Sequence, residues 1–126
     1  MTDHPALSPT PDLWTDIEHL WTWLDTHRPL DGPEALLLRI LKLSEEVGEV
    51  AEAVIGATGQ NPRKGSSHTW EDVQAELCDV VITALVALRT LTPEAREVLT
   101  EHVGRVRERS LGGEGTEPRS GRRPSR

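Results

Sequence analysis

The chain has 126 residues and a formal net charge of −7, with no Phe, no Tyr and a single cysteine, Cys78. This length suits one domain with one modest core, which must consist mainly of Leu, Val, Ala and Ile. The acidic balance disfavours a nucleic-acid-binding protein, because such proteins normally present a basic face. One cysteine excludes an internal disulfide and agrees with a reducing compartment.

The sequence also predicts a cytoplasmic protein without membrane association. No apolar run reaches the ~20 residues that a membrane-spanning helix requires. The N-terminus, with Asp3, His4 and Pro5, lacks the basic and then apolar pattern of a signal peptide.

The first half of the chain predicts two helices, each marked by residues that start or stop a helix. Residues 1–9 show no periodicity and are expected to be flexible. Thr10 can cap the first helix, which runs to about residue 28. The second helix is predicted over residues 33–57, and its first residue is a proline, which is tolerated there. Its apolar seam has heptad-like spacing and is expected to face a neighbouring helix. The seam consists of Leu36, Ile40, Leu43, Val47, Val50 and Val54.

Two further helices are predicted after a polar loop. Thr69 and Asp72 have the spacing of a capping box and predict the start of the third helix. The fourth helix is predicted over residues 93–109. No segment shows a strand pattern, so we expect an all-α, four-helix bundle-like domain over residues 10–110. A disordered, arginine-rich tail is expected at residues 111–126.

The second and third helices each carry a pair of acids three residues apart. Glu46 and Glu49 lie on the flank of one apolar seam, and Glu76 and Asp79 lie at the same offsets on the other. If the helices pack antiparallel, the four carboxylates face one another and repel unless a cation lies between them. Oxygen ligands without His or Cys favour Mg²⁺, Mn²⁺ or Ca²⁺ over zinc. Acid pairs are also common on solvated helix surfaces, which is the alternative interpretation.

These acids carry a resemblance to a known family. The run Glu45-Glu46-Val47-Gly48-Glu49, followed after a spacer by Glu76-Leu77-Cys78-Asp79, resembles the EExxE…ExxD signature of the MazG-like all-α nucleoside triphosphate pyrophosphohydrolases. The resemblance covers about residues 10–110. It implies Mg²⁺-dependent hydrolysis of a nucleoside triphosphate to the monophosphate and pyrophosphate, often to clear non-standard or surplus nucleotides. It also implies a homodimer or homotetramer.

The resemblance assigns roles by motif position. Glu46, Glu49, Glu76 and Asp79 correspond to the metal ligands, with Mg²⁺ as the expected cofactor and Mn²⁺ as a possible substitute. Glu45 corresponds to an additional acid, which is the candidate catalytic residue. Whether Glu45 orients a water, acts as a base or only supports the site is open.

Several residues near the acid pairs are candidate contacts for the substrate. Arg39 and Lys42 lie on the same flank of the second helix as Glu46 and can contact phosphates. Ordinary pairing, such as Lys42 with Glu46, is the alternative. Lys64, in the loop before the third helix, can fold over a triphosphate or stay solvated. Trp70 can stack on a base or pack against a neighbouring helix or subunit.

The remaining aromatic residues and the rival classes of protein leave further alternatives. Trp21 and Trp23 point in different directions, so one is expected in the core and the other at a subunit interface or base pocket. A ferritin-like di-iron protein needs Glu-x-x-His pairs, which are absent after Glu49 and Asp79. A non-catalytic helical nucleotide-binding, metal-binding or regulatory assembly module stays open. Apolar seams on several helices lead us to expect at least a homodimer.

Overall fold

Helices make up almost all of the described part of the chain. The computed structural model describes residues 12–27 and 32–112. Helix α1 spans Leu13–His27, α2 spans Pro33–Thr58, α3 spans Trp70–Leu91 and α4 spans Ala95–Leu111. Within these residues there is no strand, apart from an isolated bridge between Asn61 and Gly65. The all-α prediction is therefore confirmed for the described residues.

Local start and stop residues account for the ends of α2 and α3. Pro33 lies in the first turn of α2, and Gly59 ends the helix in the left-handed conformation with φ 67°, which glycine adopts without steric cost. Ahead of α3, the Thr69 hydroxyl accepts a hydrogen bond from the Asp72 N–H at 3.2 Å. The Asp72 carboxylate accepts one from the Thr69 N–H at 2.9 Å, which lowers the pKa of Asp72. The predicted capping box is confirmed.

The most extensive contact in the fold is between α2 and α3. Arg39, near the start of α2, meets Thr90 near the end of α3, and Glu46 lies beside Glu76 further along. The two helices are therefore antiparallel. The face of α2 towards α3 carries small side chains, since Ala35 and Ala53 are buried there. Small residues at a contact let two helices approach closely.

The heptad-like seam predicted for α2 is covered only in part, since Leu36, Leu43, Val50 and Val54 are half-buried. Ile40 and Val47 are 44% and 52% exposed, and Leu43 is only partly buried. At about 100° per residue, Ile40 and Val47 lie roughly 100–140° round the helix from Glu46 and Ala53. The predicted seam therefore agrees with the structure only in part: its large apolar side chains are half-buried or exposed, whereas the buried residues of α2 include the small Ala35 and Ala53 on the flank of Glu46.

Helix α1 is attached to α3 by packing and by a polar network. Ile17 is 1% exposed. The Trp21 Nε1 donates a hydrogen bond to Thr90 Oγ1 at 3.2 Å. The Arg89 guanidinium donates to both carboxylate oxygens of Glu18, at 2.7 and 2.9 Å, and lies 3.8 Å from the centroid of the Trp21 ring. A bidentate ion pair together with a cation–π contact orients α1 on α3, and the hydrogen bonds from Arg89 lower the pKa of Glu18.

The loop between α2 and α3 packs closely onto the end of α2. The Ser67 N–H donates to the Gly56 carbonyl at 3.1 Å. Gly56 is buried, and a Cβ at this position would collide with His68 Nδ1 and lie 2.6 Å from Ser67 Oγ. The close approach of the loop therefore requires glycine at position 56.

Helix α4 belongs to a second unit that begins at residue 94 and is described to residue 112. Its N-cap is Glu94, so the helix starts slightly later than predicted. Ala95 is buried, whereas every residue from Thr100 to Gly112 is exposed.

Part of the sequence prediction concerns residues that the structure does not describe. The flexible N-terminus and the Thr10 cap lie outside the described ranges. Of the tail predicted at residues 111–126, Leu111 instead ends α4, and the residues after 112 also lie outside the described ranges. Among the helices that are described, none has the length and apolar character needed to cross a membrane.

Candidate metal centre

Three glutamates from two helices converge at the contact between α2 and α3. Glu46, Glu49 and Glu76 each contribute a carboxylate oxygen, and these oxygens all lie within 4.8 Å of one another. Glu46 and Glu49 are neighbours on α2 because they are three residues apart on a helix, and Glu76 faces them from α3. Three of the four predicted metal ligands are therefore adjacent. We call these three residues the carboxylate cluster.

Two oxygens of the carboxylate cluster are buried without a hydrogen-bond partner. Glu46 is only 8% exposed. Both Glu46 Oε2 and Glu76 Oε2 are buried and unpartnered. A buried acceptor without a donor costs about 1–3 kcal/mol, and more when it carries a charge. A cation bound at the cluster would offset this cost.

The electrostatics of the cluster lead to the same conclusion. The negative charge of Glu46, followed by partial burial and by the charge of Glu76, raises the pKa of Glu49 above its ordinary value. A divalent cation between the carboxylates would remove this repulsion. An all-oxygen donor set suits Mg²⁺, Mn²⁺ and Ca²⁺.

Two further acids of the motif lie outside the cluster. Asp79 is exposed and is not one of the clustered carboxylates, because it lies about 60° further round α3 than Glu76. The Glu45 side chain is 61% exposed and pairs with Lys42 at 3.4 Å. The structure thus brings three motif acids together and leaves Asp79 and Glu45 at the surface.

Lys42 connects the surface to the cluster. Its Nζ lies 3.4 Å from Glu45 Oε1 and 3.5 Å from Glu46 Oε1. The hydrogen bond to Glu45, followed by the charge of Glu45 and the hydrogen bond to Glu46, raises the pKa of Lys42. The Lys42–Glu46 pairing, which the sequence offered as an alternative to phosphate contact, is therefore present.

An open, mainly apolar cavity of about 680 Å³ begins beside these residues. Arg39, Lys42 and Glu45 form a polar edge of the cavity along α2. Its apolar walls come from α1, α2 and α3. They are Leu20, Trp23, Leu24, Ala35, Leu38, Leu41, Ile82 and Val86.

The position of Arg39 depends on a residue that the sequence analysis missed. Arg39 Nη1 donates to Thr90 Oγ1 at 2.8 Å, and the same oxygen accepts from Trp21. The Thr90 hydroxyl in turn donates to the Val86 carbonyl at 2.9 Å. Nothing near Thr90 in the sequence indicates this role, because it arises only where three helices meet.

The aromatic residue at the cavity is Trp23 rather than Trp70. Trp23 is 56% exposed, lines the cavity and stacks on His27 with ring centroids 4.6 Å apart. Trp21 is partly buried, so the two tryptophans do differ in environment. Trp70 and Lys64 are exposed and do not line this cavity.

Comparison with known proteins does not place the chain in a family. No protein-family model matches it, and no curated protein and no solved structure matches it either. The resemblance of the two acid motifs therefore stays a hypothesis, and the function has to be argued from the residues of the site.

Proposed function

We propose that the protein is a Mg²⁺-dependent nucleoside triphosphate pyrophosphohydrolase in which the carboxylate cluster holds the metal. One water and one nucleoside triphosphate would give the monophosphate and pyrophosphate. The observation that carries the proposal is the pair of buried, unpartnered oxygens on Glu46 and Glu76 within a group of three carboxylates. The motif resemblance supplies the class of reaction.

The donor set of the cluster supports magnesium as the cofactor. Mg²⁺ is usually bound by one or two carboxylates together with waters and substrate phosphates. When bound, it neutralises phosphate charge and lowers the pKa of a coordinated water. Manganese is the expected substitute. By motif position, we also propose Asp79 as a fourth ligand and Glu45 as the catalytic residue, with its role in the reaction left open.

The surroundings of the cluster support an anionic ligand with an apolar part. Arg39 and Lys42 both line the apolar cavity, and Lys42 also contacts Glu46 of the cluster, so both cations are suited to contact phosphates. The cavity walls, which include Trp23, can pack against a heterocyclic base. For Lys64 and Trp70, the proposed roles in phosphate binding and base stacking rest on the sequence alone.

A panel assay tests the enzymatic proposal. Purified protein is incubated with standard and modified nucleoside triphosphates, with Mg²⁺ or with EDTA, and pyrophosphate is measured. Replacement of a residue that only supports a metal ligand typically costs roughly 10- to 100-fold in activity. Glu49→Gln and Glu76→Gln remove proposed ligands and should therefore lose more activity than this. Glu52→Gln is the matched control, because Glu52 is exposed on the same helix and lies outside the cluster. Equal turnover in all three variants would refute the assignment.

A second candidate function is a non-catalytic nucleotide- or metal-binding or regulatory assembly module. The exposed positions of Glu45 and Asp79 favour it, because they leave two motif acids outside the cluster. Such a protein would bind Mg²⁺ and a triphosphate and release no pyrophosphate. Calorimetric detection of Mg²⁺ binding, together with silence across the panel, would select this function.

We also propose that the α2–α3 pair is completed by a second copy of the chain, as a homodimer or homotetramer of MazG-type subunits. Ile40 and Val47 on α2, and Leu77 and Val81 on α3, are between 44% and 53% exposed. For antiparallel helices, both rows lie on one side of the pair, opposite the cavity. An exposed apolar surface of this kind is typical of an interface. Light scattering at micromolar concentration should give a dimer or larger assembly, and a sharp monomer would contradict the proposal.

A further inference from the structure

Lys42 brings a positive charge to the edge of the carboxylate cluster. Of the residues that the structure describes, Lys42 alone places a cation within 4.0 Å of the cluster, at Glu46 Oε1. The other oxygen of the same carboxylate, Glu46 Oε2, is buried and has no partner. One oxygen of this carboxylate therefore contacts the lysine, whereas the other is buried without a partner.

We propose that Lys42 is the resident counter-cation of the cluster, which a divalent metal displaces and which then becomes available to an anionic group of the ligand. This inference rests on the proposed metal site and adds an order to it. The metal would bind first, and an anion such as a phosphate would follow, because the ammonium group leaves Glu46 only when another cation takes over its charge.

The geometry of the helix supports this role over an ordinary helical ion pair. Lys42 precedes Glu45 and Glu46 by three and four residues, and a lysine before a glutamate is the weaker order for helix stabilisation. The lysine side chain is 53% exposed, whereas that of Glu46 is 11% exposed. Lys42 thus contacts an exposed acid, Glu45, at 3.4 Å and a nearly buried acid, Glu46, at 3.5 Å, and only the second contact brings its charge to the cluster.

The Lys42 ammonium group can contact either the cluster or a ligand in the cavity without a change in the backbone. Lys42 lines the apolar cavity together with Arg39, and its flexible four-carbon stem lets the ammonium group move between the cluster and the cavity. The Lys42 Nζ lies 3.5 Å from Glu46 Oε1. A metal bound to Glu46 would therefore repel the ammonium group and favour its position in the cavity.

Competition between Lys42 and the metal predicts that loss of the lysine charge increases the affinity for the metal. Lys42→Met, which keeps an unbranched apolar side chain, should bind Mg²⁺ or Mn²⁺ more tightly than the wild type, by about two- to fivefold. Lys42→Arg keeps the charge and should stay near the wild-type affinity. If Lys42 were only a phosphate contact or a structural residue, its removal would leave the affinity for the metal alone unchanged or lower it.

Calorimetric titration of Mg²⁺ and Mn²⁺ without any nucleotide tests this inference. Lys64→Met is the matched control, because it removes the same charge from an exposed loop residue. A gain confined to Lys42→Met supports the competition. An unchanged or weaker affinity in Lys42→Met, or an equal gain in Lys64→Met, overturns it. A wild-type protein that binds neither metal would instead refute the proposed metal site.

The small number of lysines allows a second readout. Lys42 and Lys64 are the only lysines in the sequence, so reductive methylation with ¹³C-formaldehyde labels two side chains and the N-terminal amine. Addition of Mg²⁺ should shift the Lys42 methyl signal and leave that of Lys64 in place. A Lys42 signal that does not move at saturating Mg²⁺ would overturn the displacement.

Discussion

The substitution Glu46→Gln should have opposite effects on stability in the absence and presence of metal. Glu46 is 8% exposed, and its Oε2 has no hydrogen-bond partner, a situation that costs about 1–3 kcal/mol. The amide of glutamine can donate to a neighbouring carboxylate and removes one negative charge. The lost pairing with Lys42 is partly exposed and contributes at most about 0.5 kcal/mol. In EDTA, we therefore expect a gain of roughly 1–2 kcal/mol in the free energy of unfolding.

In Mg²⁺ the order should reverse. A ligand at 100 times its Kd stabilises the protein that binds it by about 2.7 kcal/mol, and Glu46→Gln should lose most of this gain. For a domain of about 100 residues, each kcal/mol corresponds to about 4–8 °C in Tm. Differential scanning calorimetry in EDTA and in saturating Mg²⁺ measures both effects.

The matched control is Glu52→Gln, which removes the same charge from an exposed position on α2. It should change the free energy of unfolding by less than about 0.5 kcal/mol and keep the wild-type response to Mg²⁺. A destabilised Glu46→Gln in EDTA would show that the carboxylate is satisfied in the metal-free protein. An equal rise in Tm with Mg²⁺ in the wild type and in Glu46→Gln would refute the assignment of Glu46 as a ligand.

Two further predictions concern the packing of α2 and the charge of the cluster. Gly56→Ala should lower the free energy of unfolding by about 1–3 kcal/mol, because its Cβ would collide with His68. Gly48→Ala, with open space around the new Cβ, should raise the free energy of unfolding by about 0.5–1 kcal/mol. Changes in Tm of the same sign in Gly56→Ala and Gly48→Ala would contradict this contrast. Since the pKa of Glu49 is raised from 4.5, the folded metal-free protein holds more protons than the unfolded chain just above that pH. The stability of the wild type should therefore fall as the pH rises through this range, and Glu49→Gln should gain in Tm relative to it. A Tm difference between the two proteins that does not change with pH would contradict the repulsion between the carboxylates.

The sequence by itself determined the helices and much of the candidate site. The start of α3 at the Thr69–Asp72 capping box and the end of α2 at Gly59 follow from side chains and backbone conformations within a few residues. The adjacency of Glu46 and Glu49 follows from helical spacing in the same way. Such features are local, so the neighbouring residues alone are sufficient to produce them.

The tertiary structure alone decided which faces meet. The seam of α2 has the apolar spacing of a contact, yet Ile40 and Val47 within it are exposed, whereas the small Ala35 and Ala53 on a different flank of the helix are buried. The same rotation buries Glu46 against Glu76 and leaves Asp79 at the surface. Thr90 acquired its role only where α1, α2 and α3 converge. Periodicity shows that a helix has an apolar side, but the neighbour that covers it is chosen by the fit between helices far apart in the sequence.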